Sequence, residues 1–262
     1  MSTPDAAPAA APECPRHPGT VAYVRCQRCN RPTCPACQVP APVGVLCVDC
    51  VRQANAAARP VRSGLGFTPA HGTPWVTYVL IALNVAVYVA AQVKWGGNWV
   101  SWLGLWPHWT LEAAPYIGAG DEWYRWVTSG FVHFGLLHVG MNMFVLWQFG
   151  SQLEPALGRW RIGALYGASL LGSSLVVALM GAPGSVHGGA SGAIFGLIAA
   201  FVVVLRTLRL EWRQTAMFAG AWLVLGFFVS GLSWQGHLGG AIAGALVMAL
   251  MLRSVSRRRS GR

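Results

Sequence analysis

The chain has 262 residues, of which 54% are hydrophobic and 10% charged, and its mean hydropathy is +0.46. This composition excludes an ordinary soluble domain and is typical of a protein that crosses a membrane several times. The net charge of +11 comes largely from arginines beside apolar stretches, which favours contact with the lipid bilayer and its anionic headgroups, so no nucleic acid partner is expected.

The first segment, residues 1–13, is rich in Pro and Ala. We predict that it is disordered. It lacks a basic region followed by an apolar one, so we do not expect a cleavable secretory signal.

Residues 14–50 contain all seven cysteines, arranged in doublets with two residues between the members. The doublets are Cys14 and His17, Cys26 and Cys29, Cys34 and Cys37, and Cys47 and Cys50. Four doublets supply the eight ligands that two tetrahedral zinc ions need, and the spacing lets both members of a doublet reach one metal. An odd number of cysteines argues against a disulfide framework, and redox thiols would not need four doublets. We therefore predict a double zinc-binding module with a structural role.

This cysteine pattern resembles the B-box-type zinc fingers, which implies that doublet one pairs with three and doublet two with four. The spacing alone also allows sequential pairing. Closed metal sites fold segments too small for a hydrophobic core of their own. Thiolate ligands require a reducing compartment, so we expect this end in the cytoplasm, where the module would contact a cytoplasmic protein partner.

The remainder begins with residues 51–72, a predicted linker interrupted by Pro and Gly. Residues 73–253 are predicted to form an all-α membrane domain, and residues 254–262 a basic cytoplasmic tail. Six transmembrane helices are expected, at 75–93, 137–153, 160–180, 191–205, 216–232 and 235–252.

Arginines lie mainly in the loops and tails of one side of this arrangement. They are Arg52, Arg59, Arg62, Arg159, Arg161, Arg206, Arg209, Arg213, Arg253, Arg257, Arg258, Arg259 and Arg262. The opposite loops contain only Lys94 and Arg125. By the positive-inside rule, this distribution predicts a multi-pass cell-membrane protein with both termini in the cytoplasm.

The first external loop, residues 94–127, is long and rich in Trp, which favours the membrane interface. Its tryptophans are Trp95, Trp99, Trp102, Trp106, Trp109, Trp123 and Trp126. We expect this loop to lie partly in the outer leaflet.

In this orientation the second, fourth and sixth helices begin at the outer surface with polar residues. His138 and Asn142 lie near the start of the second, Ser191 opens the fourth, and His237 lies near the start of the sixth. Burying polar groups at such a depth in the membrane costs free energy, so residues of this kind usually have a function. The fourth helix is also short, about 22 Å against a hydrocarbon core of about 30 Å. Ser191 is therefore expected in a water-filled recess below the surface.

Glycines recur every four residues near both Ser191 and His237, and such stripes let helix backbones approach closely. They are Gly188, Gly192 and Gly196, and Gly236, Gly240 and Gly244. Close approach would let His237 take the proton of Ser191. The alternative is that the glycines only pack helices and that the two polar groups satisfy each other.

Oxyanion stabilisation is the expected role of three groups near Ser191. His138 and Asn142 are four residues apart and share one helical face, and both can donate a hydrogen bond. The backbone N–H of Ser191, at a helix start, is a third donor. His133 precedes the second helix and is expected to make a structural hydrogen bond.

Four separated motifs resemble those of the rhomboid intramembrane serine proteases, over about residues 75–252. "GASG" at 189–192 is similar to the nucleophile motif and "GHLGG" at 236–240 to the histidine motif. "HVGMN" at 138–142 is similar to the family's His-x-x-x-Asn, and "EWYRWVTSGFVH" at 122–133 to its Trp-Arg loop. Many members have Ala where this chain has Gly236.

The resemblance implies a six-helix rhomboid-type bundle. Ser191 would be the nucleophile and His237 the general base, with Phe195 placed against His237. Gly189, Gly192 and Gly240 would be supporting residues.

The predicted function is hydrolysis of transmembrane protein substrates near the outer membrane face by a Ser-His dyad. Catalysis would need no cofactor, and zinc would belong to the N-terminal module. One alternative is a catalytically silent rhomboid-like scaffold or binding protein. Another is a small-solute transporter, which would require paired repeats with broken helices that the sequence does not clearly contain.

Overall fold

A computed structural model describes residues 11–57, 62–95, 99–107, 122–182, 184–229 and 231–260. The prediction of disorder for the first ten residues lies outside this range, as do Trp109, Arg59 and the middle of the first external loop. The chain divides into two compact units, Met1–Pro60 and Val61–Arg262.

The first unit consists of two short hairpins and one helix. Strand β1 (Glu13–Cys14) pairs antiparallel with β2 (His17–Val21), and β3 (Gln38–Pro40) pairs antiparallel with β4 (Val45–Cys47). Helix α1 follows at Val48–Ala57, so the first seven residues of the predicted linker are helical. The buried side chains in the described part of this unit are six cysteines, Ala22 and Thr33. So small an apolar set leaves the cysteines as the centre of this unit.

The second unit is a helical bundle. Its helices are α2 (Trp75–Trp95), α3 (Trp99–Leu103), α4 (Arg125–Thr128), α5 (Leu136–Leu157), α6 (Arg159–Met180), α7 (Ser191–Thr207), α8 (Arg213–Leu225) and α9 (Trp234–Ser260). A 3-10 turn, Ser129–Phe131, follows α4. Each of the six positions predicted for a transmembrane helix therefore contains a helix.

Three of the described helices, α2, α6 and α9, are long and apolar enough to cross a membrane by length and composition. A fourth span results if Arg125–Phe131 and Leu136–Leu157, which meet at 96°, are counted as one broken segment. Helix α7 is apolar but shorter, as the short fourth span in the sequence indicated. The second unit is thus a helical membrane bundle.

The fifth predicted span ends earlier than the sequence indicated. It was expected to reach residue 232, but α8 ends at Leu225. The ring of Phe227 stacks on that of Trp234 at 4.4 Å, and the chain turns at Gly226 to make this contact. Hydropathy alone cannot detect such a turn, because the residues that form it are still apolar.

Helix α7 lies at the centre of the bundle and packs against α5, α6 and α9. Its residues Ala193, Leu197 and Ala200 are fully buried. Part of the predicted linker joins this core: Leu65 and Phe67 are buried, and the guanidinium of Arg161 lies 4.6 Å from the centre of the Phe67 ring. Residues 62–67 therefore belong to the packed bundle and are not a free connection.

A buried carboxylate on α5 caps the start of α2. Both oxygens of Glu154 accept backbone N–H bonds, from Val76 at 3.0 Å and from Thr77 at 2.9 Å. The Thr77 hydroxyl donates a third bond to the same carboxylate at 2.8 Å. The first-turn N–H groups of a helix have no partner within it, so this contact fastens α2 to α5.

Replacing Glu154 with Gln is expected to lower the free energy of unfolding by about 3 kcal/mol, because the amide NH2 would face N–H donors in a buried site. Thermal unfolding of the purified chain in detergent measures the loss. Glu211→Gln is the matched control, since Glu211 caps Arg213 on the exposed surface. Equal melting temperatures for the two variants would contradict this role.

Candidate active site

Ser191 and His237 lie within hydrogen-bond distance although they are 46 positions apart in the chain. The Ser191 Oγ is 3.0 Å from the His237 Nε2. Ser191 is the first residue of α7 and His237 lies in the first turn of α9. His237 is 4% exposed, so its ring is almost fully removed from solvent.

Close contact between the backbones of α7 and α9 brings the two side chains together. A Cβ atom on Gly240 would overlap the carbonyl of Gly192, and one on Gly244 would overlap the backbone of Gly196. The glycine stripes thus meet as expected, with one difference. Gly188 precedes α7, and a Cβ added there would meet Val132.

The His237 ring is held by stacking. The Phe195 ring lies parallel to it, with centroids 4.1 Å apart and planes inclined by 9°. The other ring nitrogen, Nδ1, has no hydrogen-bond partner among the described residues. Packing against Phe195 and the bond to Ser191 therefore orient this histidine.

His138 also lies close to Ser191. Its Nδ1 accepts a bond from the backbone N–H of Phe134 at 3.3 Å, so a neutral ring carries its proton on Nε2. A Cβ atom on Gly189 would lie 3.1 Å from that Nε2 and 3.4 Å from the Ser191 Oγ. The space at Gly189 therefore lies between a hydrogen-bond donor and the serine oxygen.

Asn142 lies one turn further along α5 and is 6% exposed. Its amide donates to the carbonyl of His138 at 2.9 Å. This bond occupies one of the two amide protons. His133 is fully buried, and its Nδ1 is 3.2 Å from the carbonyl oxygen of Phe131, which agrees with a structural hydrogen bond.

A small cavity, open to solvent, lies beside Ser191. Its lining combines small residues with hydroxyl and imidazole groups: Leu105, Ser129, Leu170, Ser173, Ser174, Val177, His187, Gly188, Gly189, Ser191, Gly192, Ser233 and Gly236. These groups surround the approach to the Ser191 hydroxyl.

Backbone contacts hold the loop before Ser191 in place. The N–H of Gly189 donates to the carbonyl of Ser129 at 2.9 Å.

The buried Arg125 donates to the carbonyls of Ser101 and Gly104 and pairs with Glu122. The sequence showed Arg125 only as a loop charge in the Trp-Arg motif, because its backbone partners form no sequence pattern.

In the first unit, the eight predicted ligands form two separate groups. Cys14, His17, Cys34 and Cys37 form one, and Cys26, Cys29, Cys47 and Cys50 form the other, with the ligand atoms of each group within 4.8 Å of one another. Doublet one therefore lies with three and two with four, as the B-box resemblance implied. All seven cysteines are free of disulfides.

The geometry of these groups fits a tetrahedral metal. The sulfurs of Cys29 and Cys47 are 3.8 Å apart, close to the separation of about 3.8 Å that Zn–S bonds of ~2.3 Å give in a tetrahedron. Hydrogen bonds to its sulfur, first from the backbone of Cys34, lower the pKa of the Cys14 thiol to about 6. Burial raises the pKa of the Cys37 thiol in the same group to about 11. Both groups could hold a metal ion.

Fold and site together define a class: a helical membrane protein with a serine and a histidine paired at the edge of a cavity. Comparison of the sequence with known protein families identifies the family. The sequence model of the Rhomboid domain matches residues 120–254, more than half of the chain, and the chain belongs to the rhomboid family.

Curated relatives agree with this assignment. The chain is 32% identical over 157 residues to "Rhomboid-type serine protease 2" of Emericella nidulans, covering 56% of this chain and 30% of that protein. It is 29% identical over 180 residues to "Rhomboid protease GlpG" of Serratia proteamaculans, covering 66% and 61%. It is 28% identical over 194 residues to "Rhomboid protease GluP" of Bacillus subtilis, covering 69% and 36%. The matches thus span between about a third and three fifths of these relatives' lengths.

Proposed function

We propose that this protein is an intramembrane serine protease that hydrolyses peptide bonds of transmembrane proteins. The observation that carries the proposal is the 3.0 Å contact between the Ser191 Oγ and the His237 Nε2 at the cavity. Membership of a family whose matched relatives are named proteases supports it. A silent scaffold would need neither the paired hydroxyl and imidazole nor the cavity.

In the proposed mechanism, the Ser191 Oγ attacks the carbonyl carbon of the scissile bond while its proton passes to the His237 Nε2. The tetrahedral intermediate collapses, the C–N bond breaks, and the same proton goes to the leaving amine. A water molecule then attacks the acyl-serine, with His237 again as base, and releases the carboxylate and free Ser191.

The negative oxygen of the tetrahedral intermediate would be stabilised by His138, Asn142 and the Ser191 backbone N–H. The donor at His138 Nε2 lies across the open position of Gly189 from the Ser191 Oγ, where that oxygen would develop. Donors fixed before the reaction need no reorganisation when the charge appears. Stacking on Phe195 takes the place of an orienting carboxylate.

We place this chemistry near the outer membrane face, with both termini in the cytoplasm. The arginines between α7 and α8 and at the end of α9 support this orientation by the positive-inside rule. Substrates would enter sideways from the bilayer, and segments that leave a helix readily would be preferred, because a carbonyl must give up its helical hydrogen bond to reach Ser191.

A reporter with one transmembrane segment and distinct tags at its two ends tests the proposal. The purified chain, reconstituted with the reporter in liposomes, is expected to produce two fragments cut near the outer end of the segment. An uncut reporter, with the chain folded and correctly inserted, would contradict the proposal, and a cut near the cytoplasmic end would contradict the orientation.

For the first unit, we propose two structural zinc ions, one in each group of four ligands. Bound zinc would fold this small unit and play no part in the hydrolysis. A cytoplasmic protein is the proposed partner of the module, since the ligands leave much of its surface exposed, including Tyr23 and Val43.

Metal analysis of the full chain is expected to give about two zinc ions per molecule. Cys34→Ser should retain about one, because it disrupts one group only, and Cys34→Ser with Cys47→Ser should retain none. Two zinc ions in the double variant would contradict the ligand assignment. A reporter still cut by the double variant would agree with a separate structural role.

A further inference from the structure

A second serine–histidine contact lies beside the proposed dyad. His187, in the loop before α7, and Ser233, immediately before α9, line the same cavity as Ser191. The His187 Nδ1 is 2.8 Å from the Ser233 Oγ. His187 lies four positions before Ser191, and Ser233 lies four positions before His237.

The hydrogen bonds around this pair have one consistent direction. Ser185 donates its hydroxyl proton to the carbonyl of Ala182 at 2.6 Å, so its oxygen must accept from the His187 Nε2, 2.9 Å away. A neutral ring protonated on Nε2 leaves Nδ1 as an acceptor. Ser233 therefore donates to Nδ1, and its oxygen accepts from the N–H of Gly236 at 3.2 Å.

Ser233 also determines where α9 begins. Its carbonyl accepts the backbone N–H of His237 at 3.0 Å, and its hydroxyl oxygen caps Gly236, the residue before His237. A change in the position of Ser233 would therefore move the first turn of α9 and the imidazole that it carries.

The backbone of His187 is fixed independently of its side chain. It forms two antiparallel bonds with Leu105, N–H to O and O to N–H, both of 2.9 Å. The imidazole thus connects a fixed backbone position beside Ser191 to Ser233 at the start of α9. Removing the imidazole should leave the loop in place and remove only the side-chain bond to Ser233.

We propose that His187 is a positioning residue, which through its bond to Ser233 holds the first turn of α9, and so His237, in register with Ser191. The inference rests on the proposed protease function. Replacing His187 with Ala is expected to lower kcat about tenfold and to change KM by less than about twofold, because the loss of one neutral hydrogen bond misaligns the base.

The two nitrogens of His187 are tested separately with amides. The side-chain amide of Asn lies as many bonds from Cα as Nδ1 does, and that of Gln as many as Nε2. His187→Asn is therefore expected to keep kcat within about threefold of the unaltered chain, whereas His187→Gln resembles His187→Ala. A structural role of the ring alone would give equal losses for both.

A double-mutant cycle completes the test. Ser233→Ala should lower kcat about as much as His187→Ala, and the double variant no further, while Ser233→Thr should stay close to the unaltered chain. Unchanged kcat in His187→Ala, or additive losses in the double variant, would overturn the inference. If the unaltered chain does not cut the reporter, the proposed function fails first, so the two failures are distinguishable.

Discussion

Ser191→Ala is expected to abolish cleavage of the transmembrane reporter, with a rate at least about 10⁴-fold below that of the unaltered chain. The hydroxyl at this position is the proposed nucleophile, and a methyl group cannot form the acyl intermediate. His237→Ala should lose about as much, since without a base the serine hydroxyl stays protonated. Because the two groups act in one step, the double variant should be no slower than either single variant.

The measurement is the initial rate of reporter cleavage in liposomes at equal amounts of inserted protein. Ser254→Ala and His71→Ala are matched controls, because they remove the same groups from exposed positions and should cut at the unaltered rate. Cleavage by Ser191→Ala above a hundredth of that rate would exclude Ser191 as the nucleophile.

Gly189→Ala is expected to lower the rate by about 100-fold or more, comparable with the loss of an oxyanion donor. The added methyl would lie 3.0 Å from the His138 Cε1 and 3.1 Å from its Nε2, within 3.4 Å of the Ser191 Oγ. It would thus fill the place proposed for the oxyanion. The backbone adds strain, because the φ of Gly189 is +133°, a conformation that alanine rarely adopts.

Gly184→Ala separates these two causes. Gly184 also has a positive φ, +78°, but a Cβ there would have no atom within 4 Å. It should therefore show backbone strain with little loss of rate. Thermal unfolding first establishes that both variants are folded. Equal rates of reporter cleavage by the two would then contradict the proposed oxyanion position.

The positions of the helices could be predicted because hydropathy is a local property. Each predicted span coincides with a helix in the described residues, and the largest differences lie at helix ends. Helix α8 stops at Leu225 where Phe227 meets Trp234, and α9 continues to Ser260 through arginines that form helix well. The packing of Leu65 and Phe67 was missed because two apolar residues among Pro and Gly carry no periodicity.

The pairing of Ser191 with His237 was inferred from equal depth in the membrane and from glycines that permit close approach. His187 and Ser233 have the same separation in the chain, but they lie in loops, where no helical register relates them. The role of Glu154 could not be predicted from the sequence. Its partners are backbone N–H groups, which every residue except proline carries, so the sequence offers no signal for such a contact.

The identity of the nucleophile can be measured directly with a serine-reactive phosphonofluoridate probe and peptide mapping by mass spectrometry. We expect one adduct, on Ser191, that forms in the unaltered chain and in Ser254→Ala but not in His237→Ala. An adduct on a different serine, or labelling of Ser191 at the unaltered rate in His237→Ala, would contradict the claim that these two residues form one reactive pair.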